Sequence, residues 1–240
     1  MSRGQYRDEG VVLRTYKLGE ADRIIVFMTK AHGKVRAVAK GVRKTKSKFG
    51  ARLEPASQVL LALYEGKGEL HTVTDAEIIA ANRDIREGYN LFVHAAPMLE
   101  AVDQMAQDHE PDVAVYLMLT RALATLNDRR TPLVTTAFFW KLLAYSGVEP
   151  RLDSCVRCDA AESLSAFDFQ SGGAVCTNCS YGGGVPISSE ALDLMRQILG
   201  GHLNQALAQT VGETTAEVER LAIAAIEHHI ERRLRSTTLL

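Results

Sequence analysis

Apolar and polar positions follow two different periods along this chain. Up to about residue 80 they form short runs with a period near two, as in half-buried strands; from Asn82 onward apolar residues recur every three or four positions. Val11-Val12-Leu13, residues 23–28 and residues 35–39 read as three strands, with Lys17 to Ala21 splitting the first pair and Gly33 marking a tight turn into the third. Residues 58–64 and 70–74 add two more, and Gly66-Lys67-Gly68 suits a hairpin between them. Five antiparallel strands with a long excursion between the third and fourth predict an OB-type barrel. An SH3-like barrel is the alternative, which pattern alone does not separate.

The second period predicts helices. Leu91, Ala95, Met98, Leu99, Val102 and Met105 share one helical face. Pro111 suits a first helical turn leading Val113, Leu117, Leu119 and Leu123. Thr131-Pro132 reads as a cap and first position of a helix through Phe138, Phe139, Trp140, Leu142 and Leu143, stopping at Gly147. Helices resume at Ser188-Ser189-Glu190 and at Thr214, which with Glu217 matches a capping box. The last helix places Val218, Leu221, Ala222, Ile226 and Ile230 inward and ends in Arg232-Arg233-Leu234-Arg235, cations that suit a helix C-terminus. The predicted class is therefore α+β and multi-domain: residues 1–80 an OB-fold domain, residues 81–240 a helical body, with a separate module at 150–185 inserted in it.

Composition narrows the setting. With 46% apolar and 24% charged residues among 240, a packed core is expected and disorder is not. The opening segment lacks the apolar stretch of a signal peptide, and no run approaches the roughly 20 apolar residues that span a bilayer. A cytoplasmic protein with no membrane partner is the expectation.

Charge is segregated. Residues 1–53 hold 14 basic and 4 acidic residues, a net of +10, and the remainder is net −11. From Lys34 to Arg52 there are 8 basic residues and no acidic one. Strand geometry sends Lys34, Arg36, Val38 and Lys40 to one side, and the stretch from Gly41 to Gly50 extends that surface. Arg14, Arg23, Lys34, Arg36, Lys40, Arg43, Lys44, Lys46, Lys48 and Arg52 are the candidate phosphate contacts of a polyanion partner, whose binding should weaken steeply with salt. Phe49 is a candidate for stacking on a base, whereas Tyr16 and Phe27 read as core or edge residues. An anionic membrane is the competing polyanion, but the segment has no amphipathic helix or lipidation signal.

All 4 cysteines fall in Cys155-Val-Arg-Cys158 and Cys176-Thr-Asn-Cys179. Two such turns bring four thiolates onto one ion, and the residues between them suit a hairpin, 164–169 then Ala174-Val175 across the turn at 171–173. That is the layout of a zinc ribbon; disulfides, an iron–sulfur cluster and a redox dithiol are the alternatives. Four thiolates close the coordination shell, so the zinc is expected to be structural and non-catalytic. His229-Ile230-Glu231 has deaminase spacing but follows the cysteines, and Ser154 and Val175 stand where that signature needs proline.

Other chemistry is not signalled. Gly41-Val-Arg-Lys-Thr lacks the glycine framework of a phosphate loop, Gly182-Gly183-Gly184 follows no buried strand, and no G-x-S-x-G elbow occurs. Asp108-His109-Glu110 reads as a helix cap beside Pro111. No catalytic residue is expected.

Residues 10–29, from Gly10-Val-Val-Leu-Arg to Ile-Val-Phe-Met-Thr29, then residues 33–43, Leu53-Glu-Pro55 and the four cysteines ahead of Pro186-Ile-Ser together resemble the bacterial RecO family of recombination mediators, over essentially the whole chain. The resemblance implies an OB domain, a helical body and, in many members, a zinc module. It implies binding of single- and double-stranded DNA, annealing of complementary strands, and association with RecR and single-stranded-DNA-binding protein (SSB) to help load RecA. Carried onto this sequence, it implies DNA contacts at Lys34, Arg36, Lys40, Arg43 and neighbouring cations, with metal ligation by Cys155, Cys158, Cys176 and Cys179. A nucleoid-associated cytoplasmic protein follows. The other classes open at this point are a zinc-ribbon adaptor in transcription or translation and a metal-dependent nucleic-acid enzyme.

Overall fold

A computed structural model describes residues 4–66 and 68–239. The chain forms two compact units, residues 1–130 with 234–240, and residues 131–233.

The first unit opens with a closed barrel of β1 (Gln5–Leu18), β2 (Asp22–Thr29), β3 (Gly33–Ala39), β4 (Gln58–Tyr64) and β5 (His71–Ala80), in the order β1-β2-β3-β5-β4 with β4 pairing back to β1. Closure comes through a parallel pair, Ala37 opposite His71 and Val38 opposite Thr72, so the expectation of an all-antiparallel barrel is corrected at this seam. Crossing from β3 to β5 past β4 is the Greek-key arrangement of the OB fold and settles the choice against an SH3-like barrel. β5 runs six residues beyond the predicted end at Thr74, because its second half pairs with the start of β4. The hairpin assigned to Gly66-Lys67-Gly68 includes Lys67, which lies outside the described residues.

Alternation in β3 works as read: Val35, Ala37 and Ala39 are buried, while Lys34, Arg36 and Val38 face outward. The inward set joins Val12, Ile25, Phe27, Leu61 and Leu63 in the barrel core. The 40–57 excursion contributes Phe49 and Leu53, each 1% exposed, to that same core. Phe49 is thus not available to stack on a base: burying its ring contributes on the order of 2–3 kcal/mol, which exposure would forfeit.

Three α-helices, α1 (Arg83–Glu87), α2 (Tyr89–Met105) and α3 (Val113–Arg129), and a 3-10 turn at Ser236–Leu239 complete the described part of this unit. Of the predicted stripe of α2, Ala95, Met98, Leu99 and Val102 are buried, whereas Leu91 and Met105 at its two ends are only half-buried. In α3 the buried face is Val115, Tyr116, Leu119, Leu123 and Leu126, whereas Val113 sits exposed in the first turn. The cap of α3 is Asp112, whose Oδ1 accepts from the Val115 N–H at 3.0 Å. Pro111 therefore precedes the helix, and Asp108-His109-Glu110 lies in the α2–α3 connection and caps nothing.

The second unit is built on α4 (Leu133–Tyr145), buried on nearly every side. Pro132 occupies its cap position; Thr131 makes no capping bond, and its hydroxyl is buried without a partner. Gly147, at φ +84°, ends the segment as predicted. β6 (Leu164–Asp168), β7 (Gly173–Cys176), α5 (Thr177–Ser180) and β8 (Val185–Pro186) form the cysteine module around a sheet ordered β7-β6-β8. α6 (Ser189–Leu199), α7 (Leu203–Ala206) and α8 (Glu213–His229) follow. The predicted Thr214–Glu217 capping box does not form. α8 starts after Gly212, whose N–H donates to Thr215 Oγ1 at 2.8 Å. Glu217 instead braces α6, accepting from the Ser188 N–H and from Ser188 Oγ, each at 2.7 Å.

Candidate nucleic-acid interface and metal centre

The ten candidate cations divide by what holds them. Four are ion-paired within the first unit. Arg14, on β1 just past a bulge after Val12, sets Nε 2.8 Å from Asp103 Oδ2 and its guanidinium 4.8 Å from the Tyr16 ring centroid. Arg23 of β2 pairs with Glu54 at 2.9 Å. Lys34 donates from Nζ to the Asp103 carbonyl at 2.7 Å and lies 3.4 Å from Asp108 Oδ1. Arg36 meets Asp108 Oδ2 at 2.5 Å and Glu69 Oε2 at 4.0 Å.

Three more turn their charge onto backbone carbonyls: Arg43 on Glu20 O at 2.9 Å, Lys48 on Thr74 O at 2.7 Å, and Arg52 on Ala76 O at 3.2 Å. These bonds, with buried Phe49 and Leu53, tie the excursion to the barrel. Lys40, Lys44 and Lys46 remain exposed and, among the described residues, form no ion pair. They sit together at the end of β3 and the turn after it, where Gly41 N–H donates to Asp22 Oδ1 at 2.7 Å.

The carboxylates facing the β3 cations are shifted in opposite directions. Burial raises the Asp103 carboxyl above its ordinary range, although Arg14 and Lys34 pull it down. For Asp108 burial also opposes ionisation, but the Arg36 hydrogen bond and the charge of Lys34 prevail and hold it low. Arg36 in turn is raised, first by its hydrogen bond to Asp108. Beside them lies a row of rings: His32 and Tyr6 at 4.4 Å, Tyr6 and His71 at 5.6 Å, His71 and His109 at 5.4 Å. The Tyr6 hydroxyl lies 2.7 Å from His71 Nδ1, and His32 Nδ1 2.6 Å from Asp8 Oδ2. Neither the acidic partners nor this row was read from the sequence. Asp108 is separated from Arg36 by 72 positions, and no local pattern links them.

In the second unit the four cysteines converge. Their sulfur atoms all lie within 4.8 Å of one another, and Cys158 Sγ is 3.7 Å from Cys176 Sγ. Tetrahedral zinc with bonds near 2.3 Å separates its sulfurs by roughly 3.8 Å, so the set fits that ion. The ionisation of the thiols points the same way. Burial opposes deprotonation of Cys155, but amide N–H groups of Cys176, Arg157 and Cys158 bring it down to about 6. Cys179, hydrogen-bonded by Cys158 and Cys176, is pushed up to about 12. A bound cation among them would favour the full set of thiolates. Arg157, between the first two cysteines, donates to the Cys179 carbonyl at 2.6 Å, to Gly182 O at 3.3 Å and to Asp168 Oδ2 at 2.7 Å. The Ser171 hydroxyl and this guanidinium, with two backbone amides, hold Asp168 down to about 2. His229, exposed on α8, is no part of this centre.

Among the described residues no helix is long and apolar enough to cross a membrane. The family model for the N-terminal domain of recombination protein O matches residues 1–82, and that for its C-terminal domain matches residues 86–238. The chain is 42% identical to the DNA repair protein RecO of Frankia casuarinae over 235 residues, 96% of each chain. It is 41% identical to that of Streptomyces coelicolor, again over 96% of each, and 38% identical to that of Cutibacterium acnes, over 98% of each.

Proposed function

Because the chain belongs to the recombination protein O family, a family of DNA repair proteins, we propose that it is a non-catalytic mediator that binds single- and double-stranded DNA and anneals complementary strands. With RecR and SSB it would help load RecA onto SSB-coated single strands at the bacterial nucleoid. The barrel of residues 1–80 carries the DNA, and the helical body of 81–240, with the module at 150–185, offers protein contacts. The observation that carries this reading is the cluster of exposed, unpaired Lys40, Lys44 and Lys46 within a 19-residue stretch that has no acidic residue. Annealing two polyanions requires screening their mutual repulsion, which fixed cations supply without turnover. Arg43, Lys48 and Arg52 shape that rim; Arg14, Arg23, Lys34 and Arg36 border it.

A bound Zn2+ would sit on Cys155, Cys158, Cys176 and Cys179 and supply a structural cross-link. Its closed shell leaves no position for a reacting water. The chain's own residues prepare that place: Arg157 joins the two cysteine turns, and the sheet of β6 and β7 fixes their separation.

The test is oligonucleotide binding by anisotropy over a salt series, with strand annealing measured on the same samples without nucleotide. Lys44→Glu/Lys46→Glu should weaken binding at least about tenfold and flatten the salt slope by roughly 0.7 for each single-strand phosphate left without its lysine. Wild-type affinity and slope in that variant would overturn the reading. Strand cleavage would favour the metal-dependent enzyme; a chain that ignores oligonucleotides at low salt would favour the protein-binding adaptor.

A further inference from the structure

On the reading of the barrel as a phosphate-binding domain, we propose that Asp108 is an acidic latch, a carboxylate of the chain itself that occupies the β3 cations and withholds them from nucleic-acid phosphates. The observation is one of geometry. Lys34 and Arg36 point outward from β3, as a phosphate-binding strand requires, yet both reach Asp108, at 3.4 Å and 2.5 Å. Lys34 also donates to the Asp103 carbonyl, and Glu69 lies 4.0 Å from Arg36.

The carboxylate is delivered by a segment that imitates a strand. β5 pairs with β3 only at Ala37 and Val38, leaving the edge at Lys34 without a strand. The α2–α3 connection fills it: Lys34 N–H donates to Gln107 O at 3.4 Å, and His109 N–H donates to Lys34 O at 3.1 Å. Gly33 makes this approach possible. A Cβ there would stand 2.1 Å from the Glu110 carbonyl oxygen, and its φ of +67° is left-handed. His109 then stacks on His71.

The latch is built to be displaced. Arg36 and Asp108 keep 44% and 39% of their side-chain surface in water. An exposed pair of this kind is weak, equivalent to at most about a fivefold change in an equilibrium constant, so a phosphate diester presented at high local density competes with it. Lys40, Lys44 and Lys46 would make the first contacts, and Arg36 would join only when Asp108 yields, while Lys34 keeps its bond to the Asp103 carbonyl. The same carboxylate disfavours weakly held polyanions, which sharpens selection for ligands that engage the whole surface.

The experiment uses the full chain and a fluorescein-labelled oligodeoxythymidylate, with affinity measured across a salt series. Asp108→Asn should bind about three- to fivefold tighter at low salt, with a slope steeper by roughly 0.7 for each cation released. Adding Arg36→Gln should cost the Asp108→Asn protein at least about twice the fold-loss it costs the wild type, since only the former has Arg36 free. Unchanged affinity and slope in Asp108→Asn, or equal losses in the two backgrounds, would overturn the latch. Asp108→Ser, which keeps a short polar group at the turn, stands in if the amide variant does not fold; failure of both to fold would make Asp108 a structural pin and also overturn it. Lys44→Glu/Lys46→Glu separates the two levels: binding lost there with no gain in Asp108→Asn sinks the latch alone, while binding retained there sinks the underlying reading.

Discussion

Arg157 Nη2 donates to Asp168 Oδ2 at 2.7 Å, fastening the turn between the first two cysteines to the end of β6. The other terminal nitrogen reaches the Cys179 carbonyl, so one guanidinium spans both halves of the metal centre. The four sulfurs are thereby held near one another by protein contacts.

Arg157→Ala should therefore weaken zinc binding by about 10- to 100-fold, the usual cost of removing an outer-sphere partner. Competition with a chromophoric chelator measures this directly. Cobalt substitution should still give the tetrahedral four-thiolate spectrum, because the ligands are intact. Arg157→Lys should recover little, since an ammonium cannot grip a carboxylate and a carbonyl in a fixed fork. An Arg157→Ala protein that holds zinc as tightly as wild type would contradict the role.

Phe49→Ala should destabilise the barrel by about 3–5 kcal/mol, the cost of a large aromatic truncation in a packed core. Denaturant unfolding followed by far-UV circular dichroism checks it. Oligonucleotide affinity at temperatures well below unfolding should change far less than in Lys44→Glu/Lys46→Glu. The reverse pattern, normal stability with reduced affinity, would return Phe49 to a stacking role.

His71 supplies a pH signature. Burial, and after it the neighbouring His109, hold its imidazole below the ordinary value of 6.5. As pH falls the unfolded chain takes the proton first, so His71's contribution is intact above 6.5 and is lost between there and the lower folded-state value. Proton NMR of the ring Cε1–H should give a midpoint below 6.5 that rises in His109→Gln. A midpoint at or above 6.5 would refute the assignment.

How far the sequence foretells this depends on the range of each interaction. The alternation Val35, Ala37, Ala39 against Lys34, Arg36, Val38 and the paired C-x2-C turns are local, and both carry through to the fold. Phe49 misleads because a ring in a cationic stretch looks exposed, while it belongs to the same buried core as Ile25 of β2 and Leu61 of β4, which no local pattern links to it. The Thr214–Glu217 box fails for a related reason: Glu217 instead accepts, at 2.7 Å, from Ser188, the cap residue of α6. The charges mislead in number and not in sign. Counting +10 in the front segment cannot reveal that Asp103 and Asp108, far along the chain, cancel part of it.

The pinned excursion between β3 and β4 has a thermodynamic corollary. Phe49 and Leu53 fix its backbone in the free protein, so the polyanion binding proposed for it would immobilise only a few lysine stems, each at roughly 0.5–1.5 kcal/mol, with no loop to be ordered from scratch. On the proposed annealing activity, a turn that keeps its shape would suit a protein that must let go of one strand in order to accept the next.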